Sequence, residues 1–132
     1  MDKIPNSFQD LFEDEARAFL YLATIMAGED RPQVTPVWFN TDDDGIWINS
    51  TRSRVKDANM RANPKVACLI VDPNNPYRYI QIMGTVVEIT EEGAVDHIRD
   101  LALKYRGKRE YDVTGMTRVK YKIRPEQVST MG

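Results

Sequence analysis

The chain has 132 residues, of which 42% are apolar and 29% charged, with a net charge of −2 and a pI near 5.4. These values suit one soluble domain around one core, and exclude both a disordered chain and a general nucleic-acid binder with a basic footprint. No apolar run approaches the roughly 20 residues that span a bilayer. Met1-Asp2-Lys3-Ile4-Pro5 lacks the charged-then-apolar order of a secretory leader. The single cysteine, Cys68, allows no internal disulfide, and its apolar run Val66–Val71 predicts a buried, inert thiol. The expected compartment is the cytoplasm.

In chain order, Asn6-Ser7 caps a predicted short helix through about Glu15, with Phe8, Leu11 and Phe12 on one face. Phe19–Met26 and Val34–Phe39 read as strands joined by the turn Gly28–Pro32, and Ile46–Asn49 as a third strand after the turn Asn40–Gly45. A helix is predicted over Lys56–Ala62, then an apolar strand over Lys65–Val71, broken by Asp72-Pro73-Asn74-Asn75-Pro76. Tyr77–Ile89 reads as a long strand whose alternation is interrupted at Gly84, the mark of a bulge or sharp bend. The clearest helix opens at Thr90-Glu91-Glu92 and ends near Gly107, with Ala94, Val95, Ile98, Leu101, Ala102 and Tyr105 on its apolar face. A last strand, Thr117–Ile123, alternates Val119, Tyr121, Ile123 with Arg118, Lys120, Lys122. No repeat or linker divides residues 1–132, so the expectation is a single mainly β domain. Six antiparallel strands with three inserted helices close most readily into a small barrel.

The stretch from Ile48 to Pro64 is chemically the richest. A strand end carrying Asn49, Ser50 and Thr51 meets three cations within five residues (Arg52, Arg54, Lys56) just before a helix. Hydroxyls, free backbone N–H groups and guanidinium forks are what a phosphate needs. Cations at a helix N-terminus oppose the helix dipole by several tenths of a kcal/mol each, a cost that an anion between them removes. On that ground Arg54 and Lys56 are assigned to the anion, whereas Arg52 and Arg61 fit a solvated helix face equally well.

Other candidates read as structure. Lys104, Arg106, Lys108 and Arg109 complement a helix C-terminus, with an acidic ligand tail as the competing role. His97 has no companion ligand or nucleophile and is predicted on the surface. Asp42-Asp43-Asp44 and Glu91-Glu92 suit a turn and a helix start, with no metal-ligand spacing. Trp38 and Trp47 are core aromatics first. No catalytic dyad or triad is visible.

Four motifs in order carry a resemblance: Thr35-Pro36-Val37-Trp38-Phe39, Ile46-Trp47-Ile48-Asn49-Ser50-Thr51, Arg54-x-Lys56-x-x-Asn59-Met60-x-x-Asn63-Pro64, and Asn75-Pro76-Tyr77-Arg78-Tyr79. From about Ala18 to Pro125 the chain resembles the pyridoxamine-phosphate-oxidase-like split β-barrel family, in its small branch that uses FMN or the deazaflavin F-420. The resemblance implies a six-stranded antiparallel split β-barrel and a homodimer with two cofactor sites at the subunit interface. Val34, Thr35, Pro36 and Val37 would run along the cofactor ring and offer backbone N–H groups to it. Arg54 and Lys56, with Ser50 and Thr51, would hold its phosphate, Trp47 and Asn49 would sit near the ring or ribityl chain, and Tyr79 and Gln81 would approach from the partner chain. The activity implied is hydride or two-electron transfer to a small organic substrate, with Tyr79 a candidate proton donor. F-420 is weakly favoured over FMN by the compact chain and the Asn75–Tyr79 segment. The C-terminus, with one histidine in the chain and few basic residues, departs from true pyridoxamine-phosphate oxidases. A non-catalytic flavin or F-420 carrier is the alternative. An oligonucleotide-binding barrel is the third reading, opposed by the acidic balance and the lack of aromatics beside Arg118, Lys120 and Lys122.

Overall fold

A computed structural model describes residues 1–132. Seven strands form one sheet: β1 (Leu20–Ile25), β2 (Pro32–Val37), β3 (Phe39–Thr41), β4 (Ile46–Thr51), β5 (Lys65–Asp72), β6 (Asn75–Thr90) and β7 (Arg118–Met131). They lie in the order β2-β1-β5-β6-β7-β4-β3, and every neighbouring pair is antiparallel. The order explains the shape. Its two ends, β2 and β3, are separated in the chain by Trp38 alone, so the sheet must curl until its edges meet at that residue. Because β2 and β3 do not pair, the barrel stays split there.

The expected strand Val34–Phe39 is thus two strands, which is why there are seven rather than six. Its apolar pattern runs unbroken through Trp38, but hydrogen bonding moves there from one sheet edge to the other. Side chains alternating inward from the strands, among them Leu20, Leu22, Phe39, Ile46, Ile48, Ile70, Ile80, Ile82 and Tyr121, fill the interior. Cys68 lies among them, and burial pushes its thiol up to about 12, so the thiol is inert as expected.

The expected bend at Gly84 is present. The register shifts at Met83/Gly84, and a Cβ there would lie 2.7 Å from the Arg124 carbonyl oxygen, so only glycine lets β7 approach so closely. Opposite it, Pro125 sits at the irregularity, where a missing N–H costs the ladder little. β7 therefore continues past the predicted end at Ile123 to Met131.

Two α-helices pack on the sheet, α1 (Val55–Ala62) and α2 (Ala94–Arg106). The N-terminal segment forms 3₁₀ turns at Asn6–Phe12 and Asp14–Ala16 rather than one helix, and Pro5 rather than Asn6 precedes the first. Phe8, Leu11 and Phe12 are nonetheless buried as the pattern requires. Thr90-Glu91-Glu92 belongs to the end of β6 and a turn, and α2 begins after Gly93, whose φ of 75° suits glycine. No helix is long and apolar enough to cross a membrane.

Candidate functional site

The end of β4 sets the site. Ile46 and Ile48 point into the core, and Asn49, Ser50 and Thr51 follow as a buried polar run. The chain then turns, and Arg54 occupies the N-cap position of α1 in an extended conformation, with no side chain capping the helix. A serine or aspartate is usual there. A cation is the reverse of what the helix alone prefers.

The four cations of this segment part into two pairs. Arg61 donates from Nε to Asp57 Oδ2 at 2.9 Å, and Arg52 lies 3.8 Å from the same oxygen and 3.3 Å from Glu91. Asp57 is buried and also accepts from the Tyr121 hydroxyl at 2.5 Å. Arg52 and Arg61 are therefore neutralised within the fold. Arg54 and Lys56 have no carboxylate within 4.0 Å; both line a cavity of about 410 Å³. Burial and the Arg54 charge both lower the pKa of Lys56.

β7 adds a third cation. Arg118 is 8% exposed and faces the same cavity, yet its polar partners are neutral. Its Nε and Nη2 donate to Asn49 Oδ1 at 2.9 and 2.6 Å, and its guanidinium lies 5.3 Å from the Tyr111 ring centroid. Burial lowers its pKa, with the Arg54 charge adding to the effect. A guanidinium removed from water without a countercharge is costly, and an anion in the cavity would relieve that cost.

Asn49 is the residue that orients Arg118. Its Nδ2 donates to the Ala94 carbonyl at 2.9 Å and to His97 Nδ1 at 3.0 Å, which leaves Oδ1 for the guanidinium. His97 Nε2 in turn donates to Asn40 Oδ1 at 2.9 Å. Burial, chiefly, drives the His97 pKa down to about 4, so the ring is neutral and its Nδ1 can accept. The expected surface histidine is thus buried. Its position on α2 matches Leu101 and Lys104 on the stripe facing the sheet, and two asparagines satisfy both nitrogens. Trp47 packs against the histidine ring edge-on at 6.3 Å and donates from Nε1 to Asp42 at 2.8 Å.

The opposite wall is aromatic. Tyr105 stacks on Phe19 (5.5 Å, 11°) and on Trp38 (5.1 Å, 10°), and its hydroxyl donates to the Ala18 carbonyl at 2.6 Å. Pro36 and Val37 at the end of β2, and Ile98 and Leu101 of α2, complete the lining, which contains no acidic residue. In a chain of net charge −2, this is a locally positive, half-apolar hollow.

Of the residues singled out from sequence, Pro36, Val37, Asn49, Ser50, Thr51, Arg54 and Lys56 converge on the cavity. Val34 and Thr35 lie further along β2 and do not line it, and Val34 is 65% exposed. Trp47 covers His97 instead. Tyr79 and Gln81 are on β6, away from this chain's own cavity. The basic tail of α2 is not one cluster: Lys104 is buried with Nζ donating to the Phe39 carbonyl at 2.7 Å, and Arg109 pairs with Asp100. Arg106, read in the sequence as a complement to the helix dipole or a contact for an acidic ligand tail, lines the cavity too, and so do Arg118 and Tyr111, which are not legible as site residues in the sequence. Arg118 stands in an alternating strand where it reads as outward-facing, and only the fold brings it beside Asn49.

A family model described as pyridoxamine 5'-phosphate oxidase matches residues 7–132. The chain belongs to the pyridoxamine 5'-phosphate oxidase family. Among solved structures it is similar to an F-420 reductase, at 30% identity and a TM-score of 0.83, over 96% of this chain and 98% of that one. A conserved hypothetical protein of Mycobacterium tuberculosis (23% identity, TM-score 0.75, 97% of this chain and 84% of that one) shares the fold. So does general stress protein 26 of Bacillus anthracis (19%, 0.65, 94% and 93%). No curated protein matches the sequence.

Proposed function

We propose that the protein is an oxidoreductase that uses a bound flavin-type cofactor, F-420 or FMN, for hydride or two-electron transfer to a small organic substrate. The observation that carries this reading is the cluster of Arg54, Lys56 and Arg118 on a cavity without one acidic residue. Family membership and the likeness to an F-420 reductase support it. The donor set fits a phosphate: two cations free of carboxylates, a third held in place by Asn49, and the hydroxyls of Ser50 and Thr51.

When bound, the cofactor ring supplies the hydride or electron pair, while the protein positions it and shapes the space above it. Arg54, Lys56 and Arg118 neutralise the phosphate and fix the register of the rest of the molecule. Pro36 and Val37 lie along the apolar part of the cavity, where a ring would rest. The Phe19–Tyr105–Trp38 stack borders this part. A homodimer is part of the proposal, with Tyr79 and Gln81 of each chain reaching the other's site. The apolar groove of about 450 Å³ that includes Ile25, Val66 and Met83 supports a covered sheet face. A monomer in sedimentation equilibrium would remove that part.

Titrating apo protein with FMN and, separately, with F-420, following cofactor fluorescence, tests the reading. Dissociation constants of about 1 μM or tighter for one of them name the cofactor, and failure of both to bind refutes the proposal. Reduced cofactor that binds tightly but is never reoxidised by any of a panel of unsaturated organic acceptors would favour the carrier role.

A further inference from the structure

We propose that the cavity holds a second anion subsite, built from Arg106 between Trp38 and Tyr111, that takes the carboxylate of a small planar organic substrate. The inference rests on the cofactor reading above, because it takes Arg54, Lys56 and Arg118 to be engaged by a phosphate.

Charge supplies the first reason. A cofactor phosphate, monoester or diester, carries no more than about −2 charges near neutral pH, and the three clustered cations already meet it. Arg106 is a fourth cation on the same cavity, and it pairs with no carboxylate. Its neighbours on and after α2 differ: Lys104 is satisfied by the Phe39 carbonyl, and Arg109 by Asp100 and Asp96. Complementing the α2 dipole would explain a cation here, but not its direction.

That direction is the second reason. The Arg106 guanidinium lies 5.0 Å from the Trp38 ring centroid and 5.3 Å from that of Tyr111. Two aromatic rings hold the planar group and leave its N–H edge free. A guanidinium fixed in this way is preorganised for bidentate contact with a carboxylate, because little rotamer entropy remains to be lost. Tyr111 itself lies between Arg106 and Arg118, at 5.3 Å from each. It therefore separates the two cationic regions rather than joining them.

The third reason is the ring beside Arg106. Tyr105 stands between Phe19 and Trp38 in the stack, so Trp38, held from behind by Tyr105, is the aromatic group that borders the guanidinium. A fixed guanidinium beside a fixed indole suits an acid group borne on a flat π-system.

Benzoate and its neutral isostere benzamide are suitable probes, with inorganic phosphate for the other subsite. The readout is the Trp38 indole N–H resonance, separable from that of Trp47 by a Trp47→Phe variant. Benzoate should move the Trp38 signal and should bind about ten-fold more tightly than benzamide. Saturating phosphate should change the benzoate affinity by no more than about two-fold, because the two anions occupy different places. Arg106→Gln should weaken benzoate about ten-fold and leave phosphate binding in place, while Lys56→Ala should do the reverse. Arg106→Lys, which keeps the charge but loses the planar fork, should fall between parent and Arg106→Gln. Competition between benzoate and phosphate for one site, or equal binding of benzoate and benzamide, overturns the second subsite. Absence of phosphate binding in the parent would instead count against the cofactor reading, so the two failures are distinguishable.

Discussion

Within ten residues, the chain places four cations in two different circumstances. Arg52 and Arg61 converge on the buried carboxylate of Asp57, which the Tyr121 hydroxyl also supports. Arg54 and Lys56 point the other way, into a cavity with no acidic residue, where burial and mutual repulsion lower the Lys56 pKa. The first pair stabilises the joint between α1 and β7. The second pair costs the fold something, which the proposed ligand would offset. What separates the two pairs is which of them reaches Asp57.

The largest expected effect is on the unpaired side. An Arg54→Ala/Lys56→Ala double variant should lose at least about 100-fold in cofactor affinity, since each charge-assisted hydrogen bond is worth about 1.5–3 kcal/mol. Its unfolding midpoint in urea should stay within error of the parent or rise, because removing like charges costs the fold nothing. On the paired side, Asp57→Ala should destabilise the protein by about 3 kcal/mol, measured by urea denaturation. It leaves Arg61 and the Tyr121 hydroxyl without their acceptor. If the double variant proves the less stable of the two, the division between structural and ligand-facing cations is wrong.

His97 sharpens the same contrast through pH. Its ordinary value is 6.5, and burial holds it near 4 in the fold. Between those values the unfolded chain binds a proton that the folded chain refuses, so stability rises with pH through that window and is lost as pH falls. Relative to His97→Gln, the parent should lose on the order of 2 kcal/mol between pH 6.5 and pH 4. Subtracting the two urea-melt profiles cancels the carboxylates common to both. A comparable effect at the alkaline end belongs to Lys104, whose amine burial lowers to about 8. The unfolded chain holds its proton up to higher pH, so this residue makes stability rise from pH 8 to 10.5. Lys104→Met should flatten that rise by on the order of 2 kcal/mol.

Much of the fold was legible because its signals are local. Period-two alternation marked Val119, Tyr121 and Ile123 as inward-facing, and Gly84 announced the bulge that lets β6 and β7 approach closely. The extra strand was not legible. Trp38 is as apolar as its neighbours, and a change of hydrogen-bonding edge leaves no mark on hydropathy. That Arg54 and Lys56 would stand apart from the helix's own ion pairs was legible, because a cation at a helix N-terminus is locally unfavourable. Arg118 was not legible in this way, since a cation on the outward phase of a strand is unremarkable until the fold brings Asn49 and the Tyr111 ring to its guanidinium. His97 misled in the same way: two asparagines from distant strands make its burial possible, and neither adjoins it in sequence.

The proposed role of Arg54 and Lys56, which pair with no carboxylate, is to hold a cofactor phosphate. It is tested most directly by comparing the cofactor with its phosphate-free form, FMN with riboflavin or F-420 with its bare deazaflavin chromophore, in the parent and in the double alanine variant. The parent should favour the phosphorylated form by about 100-fold or more, and the double variant should bind both forms within a few-fold of each other. Equal binding of the two forms by the parent, or a preference that survives the loss of both cations, would contradict the claim.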